Sequence, residues 1–80
     1  MTEPTRTGIV RVYYDAEQTQ LFEIYFIVNG DCEGPYTSYH QNGQILRTAY
    51  FVNYRLNGEC REYYTTGKLM EINHFENGIR

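Results

Sequence analysis

His40, His74, Cys32, Cys60, Glu23 and Glu71 are the side chains of this 80-residue chain whose types lend themselves to chemistry. Their spacing argues against it. The two histidines fall at different positions of the repeating pattern described below, one in a turn and one in a strand, and no cysteine stands at metal-ligand spacing from either, so no zinc site is expected. No serine or cysteine has the glycine-flanked setting of a nucleophile elbow, and no glycine-rich loop precedes a helix. Glu23 and Glu71 share one face of the expected sheet but stand four strand spacings apart, roughly 19 Å, whereas paired acid and base work needs about 5 to 9.5 Å. Arg47 lies between them, about 10 Å from each, beyond direct ion pairing without a bend. The expectation is a solvated row of charges, or a charged stripe for a partner, in a protein that is not an enzyme and has no catalytic residue, metal or cofactor.

Composition narrows the partner classes. The net charge is -3 and the seven basic residues are scattered, so a phosphate backbone is not expected as the partner. Nine tyrosines supply aromatic rings, yet stacking on single-stranded nucleic acid also needs a basic groove, and only half of that requirement is present. Two cysteines are too few for a disulfide framework and occupy different repeat positions, which reads as free thiols in a reducing compartment. The segment MTEPTRT has neither an apolar core nor a basic run and does not read as a signal peptide, and no stretch approaches a membrane-spanning length. A cytoplasmic location is expected.

The elements that position these residues follow a period. Gly34, Tyr39, Gly43, Ile45, Phe51 and Asn53 recur 24 residues on as Gly58, Tyr63, Gly67, Leu69, Phe75 and Asn77. Going backward by 24, Ile45, Phe51 and Asn53 meet Leu21, Ile27 and Asn29, while Gly34 finds Gly8 at 26. The first copy therefore holds two extra residues, between Tyr14 and Leu21. A fixed period with a local insertion is the mark of a repeat array.

Residues 1–7 are polar and aperiodic and read as a flexible tail; 8–80 read as one domain with repeats 8–33, 34–57 and 58–80. Each repeat is a strand, a turn and a return strand. Ile9 to Tyr14 is β-branched and aromatic, DAEQTQ is an enlarged turn, and Leu21 to Asn29 returns to the turn dipeptide Asn29-Gly30. Gly34 to Tyr39 and Gln44 to Tyr54 repeat this, as do Glu59 to Tyr64 and Lys68 to Glu76. Helix competes over Ala16 to Phe26, but its apolar positions form no stripe at a period of 3.6. The predicted fold is all-β, an antiparallel meander of three consecutive β-hairpin repeats forming one elongated sheet with six strands.

Tyr63-Tyr64-Thr65-Thr66-Gly67-Lys68-Leu69, followed by Phe75-Glu76-Asn77-Gly78, resembles the MORN (membrane occupation and recognition nexus) repeat, in the variant found in small bacterial and viral proteins, some described as antitoxins. Repeat three departs at Cys60, where the pattern has an aromatic residue, and repeat two at Tyr54, where the closing glycine belongs. Repeat one keeps Gly8, Tyr13-Tyr14, Leu21 and Asn29-Gly30 but lacks the turn glycine. The resemblance implies a sheet of hairpins acting in binding, scaffolding or self-association, with no catalytic residues. Lipid binding is attached to the family name, but an acidic chain without a polybasic stretch does not favour membrane lipid.

Alternation sorts the return strands into two faces. Leu21, Glu23, Tyr25 and Ile27, with Ile45, Arg47, Ala49 and Phe51 and with Leu69, Glu71, Asn73 and Phe75, form the expected packed face. The second face carries Phe22, Ile24, Phe26, Leu46, Tyr50 and Val52, and becomes more apolar toward the N-terminus. A single-layer sheet cannot leave two apolar faces in water, so the sheet curls, the segment 1–7 covers the second face, or a second subunit (a homodimer or larger) or a partner protein does. These six residues are the candidate partner-binding site. The expected function is a non-enzymatic protein–protein interaction module, possible roles being an antitoxin or a phage or viral inhibitor of a host protein. The alternative is a self-assembling homo-oligomer scaffold whose edge strands pair between copies.

Overall fold

The structure, a computed structural model, describes residues 6–79. Most of the expected 1–7 tail, and any cover it gives, lies outside the described residues. Arg6 and Thr7 are tied to the first repeat's closing turn: Gly30 N donates to Arg6 O at 2.8 Å and Asn29 N to Thr7 Oγ1 at 3.1 Å.

The sheet is built from β1 (Gly8–Tyr13), β2 (Leu21–Val28), β3 (Asp31–Tyr39), β4 (Ile45–Val52), β5 (Arg55–Leu56), β6 (Gly58–Tyr63) and β7 (Leu69–Phe75). All pairings are antiparallel, in the order β1-β2-β3-β4-β6-β7, with β5 beside β4. The described chain is all-β and the meander is as expected, but the strands number seven rather than six.

The seventh strand arises from the opening glycines. After each closing turn the chain pairs for two residues, Val28↔Asp31 and Ile27↔Cys32 in one place and Val52↔Arg55 and Phe51↔Leu56 in the next. It then passes through Gly34 or Gly58, held at φ of 85° and 86°, before pairing resumes. These positive angles cost a Cβ-bearing residue about 1 to 2 kcal/mol, which is why glycine recurs there. The bulge leaves β3 continuous but divides its equivalent into β5 and β6. Pairing after a closing turn therefore begins before the glycine, as β3 does at Asp31 and β5 at Arg55.

Closing turns are two-residue loops of the I′ kind, with both central residues at positive φ. Asn29 and Gly30 stand at 51° and 84°, and Asn77 and Gly78 at 53° and 82°. In repeat two Tyr54, standing for the glycine, is held at 59° after Asn53 at 50°. Its N–H donates to Cys32 O at 3.0 Å, just as Gly78 N donates to Leu56 O at 2.7 Å. The inter-repeat hydrogen bond holds the turn in place without glycine.

A second irregularity recurs at the hairpin mouths. Pairing steps from Val12↔Glu23 to Tyr13↔Leu21, from Ser38↔Arg47 to Tyr39↔Ile45, and from Glu62↔Glu71 to Tyr63↔Leu69, passing over Phe22, Leu46 and Met70. These β-bulges break strict alternation. Ile45 and Leu69, assigned by alternation to the packed face, are 40% and 46% exposed. In these two repeats packing on that face begins only beyond the bulge, whereas Leu21 of repeat one is half-buried.

The buried centre is small. Among the described residues it consists of Ser38 on β3, Ala49 on β4 and Cys60 on β6, and no large side chain is fully enclosed. Around it Tyr25 stacks on Tyr36 at 5.8 Å between ring centres, and Phe51 meets Tyr36 edge-on at 6.0 Å. The molecule measures 47 × 37 × 13 Å, the thickness of one sheet with its side chains.

Candidate functional site

The second face holds the larger hollow. Its cavity, about 520 Å³, is bordered chiefly by Ile9, Ile24, Phe26, Val28, Pro35 and Tyr50. Register explains the gathering: Ile9 pairs with Phe26, and Pro35 with Tyr50, so the outgoing strands add their apolar residues to those of β2 and β4. Ile9 is 57% exposed, Tyr50 49% and Phe26 37%, large apolar surface that a monomer seldom leaves in water.

Of the six residues assigned to partner binding from sequence, Ile24, Phe26 and Tyr50 line this hollow. Phe22, Leu46 and Val52 do not line it and are half-buried, with Phe22 packed against the Tyr14 ring at 4.7 Å. Alternation along the return strands does not reach Ile9 and Pro35, which lie on outgoing strands. The alternation IVRVY in β1 is the signal that finds Ile9 once antiparallel register is laid on it.

Toward β7 the same face turns polar. Arg61 pairs with Glu59, and His74 Nε2 stands 3.7 Å from Glu59 Oε2. The apolar half therefore ends against charges that already have partners.

The opposite face carries the charged row. Arg47 Nη2 meets Glu62 Oε1 at 3.3 Å, an ion pair that the sequence reading did not foresee because Glu62 lies on an outgoing strand. Asn73 Nδ2 donates to Glu71 Oε2 at 2.8 Å, and the Tyr36 hydroxyl donates to Glu23. Partial burial, then the Glu23 hydrogen bond and charge, push the Tyr36 hydroxyl up to about 12. Tyr36, Arg47, Glu62, Glu71 and Asn73, with Phe51 and Phe75, frame a cavity of about 390 Å³. Each carboxylate of the row has a neighbour that satisfies it.

The remaining candidates for chemistry hold structural posts. His40 Nε2 donates to Tyr63 O at 2.9 Å, the same inter-repeat link that the Tyr14 hydroxyl makes to Tyr39 O at 2.6 Å. Burial raises the pKa of both thiols, Cys32 and Cys60, which lowers their thiolate fraction. Among the described residues no group of three His, Cys, Asp or Glu side chains is placed to hold a metal ion.

A family model described as the MORN repeat variant matches residues 33–53 and 56–77, more than half of the chain. Repeat one falls outside the match, although its bulges and closing turn repeat those of the others. Its Asp15–Gln20 turn carries the two extra residues and sets Gln18, at φ 61°, where the other repeats have Gly43 and Gly67. No curated protein and no solved structure matches the chain.

Proposed function

The chain belongs to the MORN repeat variant family, and we infer that it is a non-enzymatic protein–protein interaction module that docks its partner on the face bearing Phe22, Ile24, Phe26, Leu46, Tyr50 and Val52. MORN repeats are in general protein- and membrane-binding modules. The observation that carries the choice of surface is the mainly apolar hollow of about 520 Å³, with Glu33 as its one charged border, in a sheet 13 Å thick that encloses no large side chain. A net charge of -3 favours a protein over an anionic lipid surface.

The narrower role is that of an antitoxin or a phage or viral inhibitor of a host protein, acting in the cytoplasm where Cys32 and Cys60 stay reduced. Its support is the family resemblance. Co-purification from the native host tests it. A stoichiometric partner that is lost when Phe22, Phe26 and Tyr50 are changed together to Ser, with the sheet spectrum retained, supports the docking face; a partner retained by that variant contradicts it.

A second reading has its own observation. β1 and β7 are both open edges with no proline in them, so copies can pair edge to edge as a self-assembling scaffold. Proline at Ile72 on β7 distinguishes the two, because it removes a backbone donor without touching the apolar hollow.

A further inference from the structure

We propose that the occupant of the apolar face is a second copy of this chain, packed face to face about a two-fold axis. The inference rests on the docking reading above and names its partner. Three features of the molecule carry it.

Cover adds to the stability of the fold and does not serve an occasional encounter alone. Ala49 and Cys60 are the only apolar residues buried among those described, and Ser38 the only buried polar one, so one layer has no enclosed core. A small sheet meets an ordering cost of about 1.5 kcal/mol per residue, which burial on one side does not comfortably offset. Cover that is present whenever the chain is supplies the missing burial. A second copy meets that requirement without a foreign protein.

Area agrees with this. A specific interface takes about 800 Å² from each partner. An outline of 47 × 37 Å supplies that from about half of one face, and the apolar hollow draws its lining from β1 to β4. The hollow between Phe26 and Tyr50 leaves room for the rings of a facing sheet to interdigitate.

Charge is compatible with self-pairing as well. The centre of the patch is uncharged, and Glu59, Arg61 and His74 at its far end satisfy one another. Two residues border the apolar half with opposite signs: Arg11, opposite Ile24 on β1, and Glu33 at the hollow's margin on β3. Arg11 is level with Ile24 and Thr37 and Glu33 lies further along β3, so a two-fold axis crossing β2 obliquely brings Arg11 toward Glu33 of the partner subunit. The same patch is thus complementary to itself, as an isologous dimer requires. The opposite groove, with Arg47 and Glu62, stays open to a further protein.

Sedimentation of the purified full chain over a hundredfold range of concentration is the test. The expected species has twice the 9.5 kDa mass of one chain, and melting rises with concentration. Phe26→Ser with Tyr50→Ser should weaken the dimer at least tenfold. Should that double variant unfold, Arg11→Glu decides, since it lies at the rim on an exposed side chain: a weakened dimer with a sheet spectrum supports the proposal, and an unchanged dimer overturns it. A wild-type monomer that melts cooperatively at the same temperature at every concentration also overturns it. That result leaves the docking reading standing if the Ser variant still loses its co-purified partner.

Discussion

Tyr36 concentrates the sheet's side-chain electrostatics at one position. Its hydroxyl donates to Glu23 and its ring lies between Tyr25 and Phe51, so ionisation must be delayed by burial and by the neighbouring carboxylate. Its folded-state pKa, about 12, stands above the ordinary 10.0. For a raised value the contribution to stability is complete below the unfolded pKa and is lost as pH rises through the folded one. Stability should therefore fall between about pH 10 and 12, and Tyr36→Phe should flatten that fall in urea midpoints recorded across the range. Asp15 acts in the opposite direction. Hydrogen bonding from the Thr19 side chain is the largest of the effects that hold its carboxyl below the usual value, with donation from Thr19 N at 3.1 Å and Gln20 N at 3.0 Å adding to it. That contribution is present above the unfolded pKa of 3.8 and disappears as pH falls through the lowered one. Acid titration of wild type and Asp15→Asn should show the difference below pH 3.8, where only the wild type loses this support.

At the scale of the element, the bulge at each opening glycine makes a sharper prediction. No atom beyond its immediate chain neighbours lies within 4 Å of a Cβ added at Gly58, so space is available there. The angle of 86° is the obstacle, and Gly58→Ala should cost about 1 to 2 kcal/mol in denaturation free energy. A neutral result would mean that the bulge relaxes on substitution. On the return strands, Phe51 and Phe75 occupy equivalent positions but not equivalent surroundings. Both are half-buried, and only Phe51 has both an aromatic partner in Tyr36 and a cover in Leu56. Replacing a fully buried phenylalanine by alanine costs about 3 to 5 kcal/mol, so these half-buried rings should each cost less, Phe51→Ala more than Phe75→Ala. Equal midpoints for the two variants would show that the contact with Tyr36 adds nothing.

The whole molecule was legible in outline because it repeats. Gly34 with Gly58, Phe51 with Phe75, and Asn29 with Asn53 and Asn77 identify the hairpins and their closing turns without any knowledge of packing. Two things were hidden by the assumption of unbroken alternation. The mouth bulges shift Leu21, Ile45 and Leu69 to partners Tyr13, Tyr39 and Tyr63, and no residue type announces them, since the bulged positions Phe22, Leu46 and Met70 are ordinary strand residues. Alternation along the return strands also does not reach the outgoing strands, which carry Ile9 and Pro35 in the hollow and Glu62 beside Arg47. Register across strands depends on turn geometry, and sequence period alone does not fix it. The apolar character of the second face survives these corrections, and with it the account of a sheet that is completed by another protein.

Side-chain oxidation of the native assembly measures that claim directly. Tyr50 and Tyr64 are the same residue type with nearly equal exposure in the isolated chain, 49% and 51%, and only Tyr50 borders the apolar hollow. The prediction is that Tyr50 and Phe26 are protected from hydroxyl-radical labelling in the assembly as isolated from its host, while Tyr64 labels freely. Equal labelling of Tyr50 and Tyr64 would mean that the face stays in water and that nothing docks there.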